Sequence, residues 1–200
     1  MNKKCYINPE TSKETRFKIE CHLCEVSKPN TNTITKALLT GPLSSGKTTF
    51  LQYISKDIIS DGASGAPRTY KVMDAVFDEV TDFSGAEAWL KAKFDEYIKG
   101  HDYILFFFDV SMYLNDTKYR ADVNARVDMI YRTSKLLENK HVNLLVGTHI
   151  DKACQNYKSE FECFFAGKSY QSMLNNIVYI NTTKKECVET IFNKLKEQKK

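Results

Sequence analysis

Residues 41–49 read GPLSSGKTT, two glycines five positions apart followed by a lysine and two threonines. Residues of these types at this spacing suit the holding of a polyanion. Glycines let the backbone turn sharply and approach a ligand closely. Successive N–H groups pointed inward, with the positive end of a following helix, gather phosphate oxygens. In such a cradle Lys47 reaches the outer phosphates and the Thr48 hydroxyl ligates Mg²⁺. Pro42, Leu43, Ser44, Ser45, Gly46, Lys47, Thr48 and Thr49 are therefore the candidate phosphate-binding set. Pro42 gives up one N–H, a small loss. The competing reading is a plain strand-to-helix turn with Lys47 in solvent.

Three later runs can complete such a site. DFSG at 82–85 offers Asp82 to a metal through water and the Gly85 amide to a terminal phosphate. THID at 148–151 ends in Asp151, whose carboxylate can accept from the N1–H and 2-amino group of guanine, donors that adenine does not present in that arrangement. A bidentate charged contact of this kind discriminates on the order of 10³-fold. NTTK at 181–184 places Thr182 and Thr183 where a short loop can offer an amide to the base.

Apolar stretches of strand length, the elements that position these runs, lie at 35–40, 75–82, 103–110, 142–148 and 177–181. Runs rich in Val, Ile, Leu and Phe suit strands buried on both faces. Between them lie helical patterns at 47–59, 86–99, 120–139, within 155–175, and 185–197. In the third, Val123, Val127, Ile130, Leu136 and Leu137 share one face, with Asp109 and Asp116 as capping residues before it. The alternation predicts an α/β fold, a mostly parallel central sheet flanked by helices. The chemistry then falls at the carboxyl ends of the strands, where an open sheet places its ligand. SDGASGAPR at 60–68 is loop by composition. Residues 1–34 are expected as a short N-terminal β extension and 35–200 as the nucleotide-binding domain.

In motif order and spacing, residues 35–200 resemble a small GTPase of the Ras-like P-loop superfamily, most like its Arf and signal-recognition-particle receptor β side. The resemblance implies a P-loop GTPase fold, GTP and GDP as ligands with Mg²⁺, and a switch function with effector or regulatory partners. It assigns Lys47, Thr69 and Gly85 to catalysis, Thr48, Thr69 and Asp82 to the metal, and Thr148, His149, Asp151, Thr182 and Thr183 to the base. Thr69 would be the switch threonine, although thirteen positions before Asp82 leave room for only a tight hairpin. The chain also departs from the pattern. Ala86 stands where many of these enzymes carry a water-orienting glutamine, and an alanine methyl makes no hydrogen bond, so slow hydrolysis is expected. Leu43 would crowd a partner's arginine, and His149 replaces the lysine whose stem packs on the base.

Composition bounds the alternatives. A 200-residue chain of net charge +4, 42% hydrophobic, suits one globular domain and gives no reason to expect nucleic acid. There is no secretory signal, lipidation box or bilayer-length apolar run, so a cytoplasmic protein without a stable membrane anchor is expected. Cys5, Cys21, His22 and Cys24 invite a zinc reading, against ordinary reduced thiols. The aromatics around FECFF at 161–165 suit either a core or a partner surface, and KLKEQKK a solvated helix end. Two rival functions stand beside the switch: a catalytically inactive pseudo-GTPase scaffold, and a P-loop ATPase or nucleotide kinase.

Overall fold

The computed structural model describes residues 34–55, 59, 67–72, 76–83, 94–136 and 141–198. The expected N-terminal β extension, its zinc candidates Cys5, Cys21, His22 and Cys24, most of the 60–68 loop, Gly85 and Ala86 lie outside the described residues.

Residues Ile34–Lys200 form one compact unit. Its elements run β1 (Lys36–Thr40), α1 (Lys47–Ile54), β2 (Arg68–Lys71), β3 (Glu79–Asp82), a helical stretch α2 (residues 94–99), β4 (Tyr103–Asp109) and α3 (Val110–Asn115). They continue with α4 (Thr117–Leu136), β5 (Val142–Thr148), α5 (Tyr157–Phe165), a 3₁₀ turn at Gln171–Asn176, β6 (Ile177–Tyr179) and α6 (Glu186–Gln198). The six strands make one sheet in the order β2-β3-β1-β4-β5-β6, parallel except for β2, which runs antiparallel along β3 at the edge.

Alternation along the inner strands divides the core. Ala37, Leu39, Tyr103, Leu105 and Phe107 face one side, where Phe50, Leu51 and Ile54 of α1 meet Ile191, Phe192 and Leu195 of α6. Leu38, Ile104, Phe106 and Phe108 face the other, covered by Ile98 of α2, Val110 and Tyr113 of α3, Val123, Val127 and Ile130 of α4, and Phe161 and Phe165 of α5. All seven residues of β4 are buried, as a strand sandwiched between two helical layers requires. Phe161 and Phe165 thus belong to the core, while Phe164 is exposed under the Arg120 guanidinium, 4.0 Å from its ring centroid.

Four expectations need correction. Val110 leaves the strand and opens α3, because the Asp109 carboxylate accepts from Met112 N at 2.9 Å and starts a helix there. Residues 76–78 form a bend rather than part of β3, and β6 ends at Tyr179, short of 181. Leu136 is 82% exposed at the end of α4 and does not line its buried face. The helix expected somewhere within 155–175 is found there as the nine-residue α5, with a separate 3₁₀ turn after it. Asp116 does cap α4, its Oδ1 accepting from Lys118 N at 2.8 Å and Tyr119 N at 3.1 Å.

Candidate functional site

The chain turns from β1 to opposite sides of the sheet, β3 lying on one flank and β4 on the other. Such a reversal opens a crevice at the carboxyl ends of the strands. The loop 41–46 fills the rim of that crevice. Gly41 has φ 142°, and a Cβ there would lie 2.0 Å from the Phe107 carbonyl oxygen, so only glycine lets the loop leave β1 against β4. Ser44 (φ 58°) and Gly46 (φ 86°) are both left-handed. These reversals curl the loop over the start of α1, whose cap is Gly46 with no side-chain acceptor on its first amides. Left-handed turns and a helix N-terminus together make an anion-binding concavity.

Lys47 runs back beneath this loop. Its ammonium donates to the carbonyls of Gly41 at 2.9 Å and Pro42 at 2.6 Å and to Ser45 Oγ at 3.1 Å. The residue is 8% exposed. Burial pulls its pKa from 10.5 down to about 8, with the Arg126 guanidinium acting in the same direction and the Asp82 carboxylate against it. Asp82 closes β3 on the other side. Burial raises its pKa, and Lys47 and Arg68 oppose the rise. Its Oδ1 is buried without a hydrogen-bond partner among the described residues. A buried, unsatisfied carboxylate oxygen near the start of α1, where Thr48 brings a hydroxyl, is a donor set of the hard-oxygen kind that Mg²⁺ takes. The residues present fit that ion.

The second half of the crevice comes from β5 and the turn after it. The Thr148 hydroxyl is buried 3.0 Å from the carbonyl oxygens of both Ser45 and Phe108, so it ties the loop 41–46 to the end of β5 across 103 positions of chain. His149 is left-handed (φ 54°), its Nδ1 2.9 Å from Thr148 Oγ1 and 3.3 Å from Asp109 Oδ2. Asp151 follows in a turn closed by Lys152 N donating to His149 O at 3.1 Å, and it is exposed. Thr182 is buried against the loop, its Cγ2 3.0 Å from where a Cβ on Gly46 would stand. Thr183 lies further out, its N–H and hydroxyl both donating to Asn181 Oδ1, at 2.9 and 2.7 Å.

The structure therefore brings Pro42 to Thr49, Asp82, Thr148, His149, Asp151 and Thr182 to one end of the sheet. It does not bring the Thr69 hydroxyl there. Thr69 pairs with Thr81 in the β2–β3 register, its Oγ1 3.0 Å from Thr81 Oγ1, which in turn lies 2.9 Å from His101 Nε2. Side chains of a strand alternate between faces, so the neighbouring pair, Arg68 opposite Asp82, takes the other face. Arg68 was not among the expected site residues. Its signal was the short spacing before Asp82, which fixes a hairpin, but the register that chooses Arg68 over Thr69 was not readable. Asp109 was expected only as a cap, although its second oxygen faces His149. Leu43 is 62% exposed on the outside of the loop. No helix among the described residues is long and apolar enough to cross a membrane.

No family model matches the chain, and no curated protein matches it. Solved structures do. One is a bacterial selenocysteine-specific elongation factor, EF-Sec, with TM-score 0.58 and 18% identity over 82% of this chain and 28% of that one. Another is a probable GTP-binding protein, engB, with TM-score 0.62 and 13% identity over 82% of this chain and 98% of that one. The chain thus spans little more than a quarter of the elongation factor and nearly all of engB. A six-stranded, mostly parallel sheet between two helical layers, shared with GTP-binding proteins, gives this chain the P-loop GTPase fold.

Proposed function

We propose that this protein binds guanine nucleotides with Mg²⁺ and hydrolyses GTP slowly, serving as a nucleotide-dependent switch for a protein partner. The observation that carries the reading is the joined pair of loops: a glycine-flanked cradle over buried Lys47, hydrogen-bonded through Thr148 to the turn that bears Asp151. The cradle's amides, Lys47 and the positive end of α1 would hold the phosphates. Thr48 and Asp82 would hold Mg²⁺, which when bound neutralises charge on the phosphate oxygens. Asp151 would select guanine, and Thr182 would back the cradle. Arg68, opposite Asp82, adds a cation at the same end of the sheet. Bond cleavage would rest on alignment and charge neutralisation by these groups.

Ala86 favours a second reading, a scaffold that keeps nucleotide as a structural ligand. The engagement of the Thr69 hydroxyl by Thr81 points the same way. Two measurements separate the possibilities. Competition of ATP and GTP for a fluorescent guanine nucleotide should favour GTP, and Asp151→Asn should lose that preference; equal competition by ATP refutes the guanine reading. Single-turnover hydrolysis above the Lys47→Ala control supports the switch, and a rate equal to the control supports the scaffold.

A further inference from the structure

We propose that Asp109 is a positioning residue for base recognition, acting through His149; the inference rests on the guanine-binding reading above. Strands β4 and β5 run side by side with Asp109 in register with Thr148, so the last residue of β4 lies next to the turn that carries Asp151. Asp109 is held there from three directions. Its backbone N–H donates to the Tyr119 hydroxyl at 2.8 Å, its Oδ1 accepts from Met112 N at 2.9 Å, and its Oδ2 lies 3.3 Å from His149 Nδ1. One buried carboxylate therefore caps α3 with one oxygen and faces the base turn with the other.

The turn needs such a hold. His149 is one of two described non-glycine residues with positive φ, at 54°, a conformation that residues bearing a side chain rarely adopt. The Thr148 hydroxyl and the Asp109 carboxylate both lie against the same ring nitrogen, and they keep the residue in that well. Asp151 stands two residues on, within a turn closed on the His149 carbonyl, so the backbone angles of His149 set where its carboxylate sits. A charged hydrogen-bonded contact of this kind is lost at a cost equal to about tenfold or more in binding. Loss of the Asp109–His149 contact thus weakens recognition of the base while leaving the cradle at 41–46 intact.

Asparagine separates this role from capping, because it caps helices as well as aspartate does but carries no charge. Calorimetric titration of the full chain with GDP, ADP and, as a base-free probe, pyrophosphate tests the proposal. Asp109→Asn is expected to weaken GDP about tenfold or more and leave pyrophosphate unchanged. His149→Phe, which keeps an aromatic side chain at the positive φ but offers no ring nitrogen to Asp109, is expected to do the same. The double variant should be no worse than either single one, as for two halves of one contact. The proposal is overturned if Asp109→Asn binds GDP like the wild type, if GDP and pyrophosphate weaken equally, or if the two losses add. Wild type that fails to prefer GDP over ADP refutes the guanine reading itself, and the proposal falls with it, before any variant is made.

Discussion

Lys47 offers the sharpest test of how the cradle is built. Its ammonium is buried and held at about 8 instead of 10.5, so the folded protein surrenders this proton roughly 2.5 pH units before the unfolded chain does. At 1.36 kcal/mol per unit, carrying the buried charge costs the ligand-free fold about 3 kcal/mol at neutral pH. The sign follows from proton counting. Between pH 8 and 10.5 the unfolded chain binds the proton and the folded one does not, so stability rises with pH across this window. Lys47→Met removes the titration and nearly preserves the shape. Urea unfolding of nucleotide-free wild type and Lys47→Met should show the wild type at a constant disadvantage below about pH 8, recovered by about 1.4 kcal/mol per pH unit between pH 8 and 10.5. The difference between the two proteins isolates Lys47 from the buried tyrosines that also titrate when alkaline. Bound triphosphate supplies the compensating negative charge, so its binding at pH 8 should take up about half a proton, an uptake absent in Lys47→Arg, whose guanidinium stays charged. A stability difference that stays flat from pH 7 to 10 would refute the claim that burial governs this lysine.

Other perturbations read different parts of the site. Gly41→Ala places a methyl 2.0 Å from the Phe107 carbonyl oxygen, which forces the loop away from β4; a loss of about 2 kcal/mol or more in urea unfolding is expected, and a loss under about 0.5 kcal/mol contradicts the geometry. Burial raises the Asp82 pKa, so its charge weakens the fold increasingly as pH climbs past the ordinary carboxylate range. Asp82→Asn should therefore raise the melting temperature without Mg²⁺ and abolish any gain that Mg²⁺ with nucleotide confers on the wild type; a retained gain excludes Asp82 from the metal. Ala86→Gln should accelerate single-turnover hydrolysis by roughly tenfold or more if water alignment limits the rate, and an unchanged rate shows that it does not.

The cradle was legible because its information is local: two glycines, a lysine and a threonine within eight positions, between an apolar run and a helical one. Strands β4 and β5 were legible because YILFFFD and VNLLVGT have no exposed face to interrupt them. What escaped depended on partners far along the chain. Helix α3 is only six residues long, VSMYLN, and its periodicity is too short to stand out beside the preceding strand. The roles of Thr69 and Arg68 hang on a one-residue register in a hairpin, where a slip exchanges the two faces. Thr69 and Thr81 bond as neighbours across two strands, a relation that neither strand's composition announces. The second face of Asp109 opens onto a histidine 40 positions away, and sequence patterns of cap and turn carry no trace of it.

The bond from Thr148 to the Ser45 carbonyl has a consequence for how the molecule matures during synthesis. The cradle is made early, yet the hydroxyl that secures it follows 103 positions later and the threonine that underlies it, at 182, later still. Parallel pairing of β1, β4 and β5 must come first, and such distant contacts form slowly. A nascent polypeptide therefore carries its phosphate loop without the means to lock it until Thr148 and Thr182 have been added.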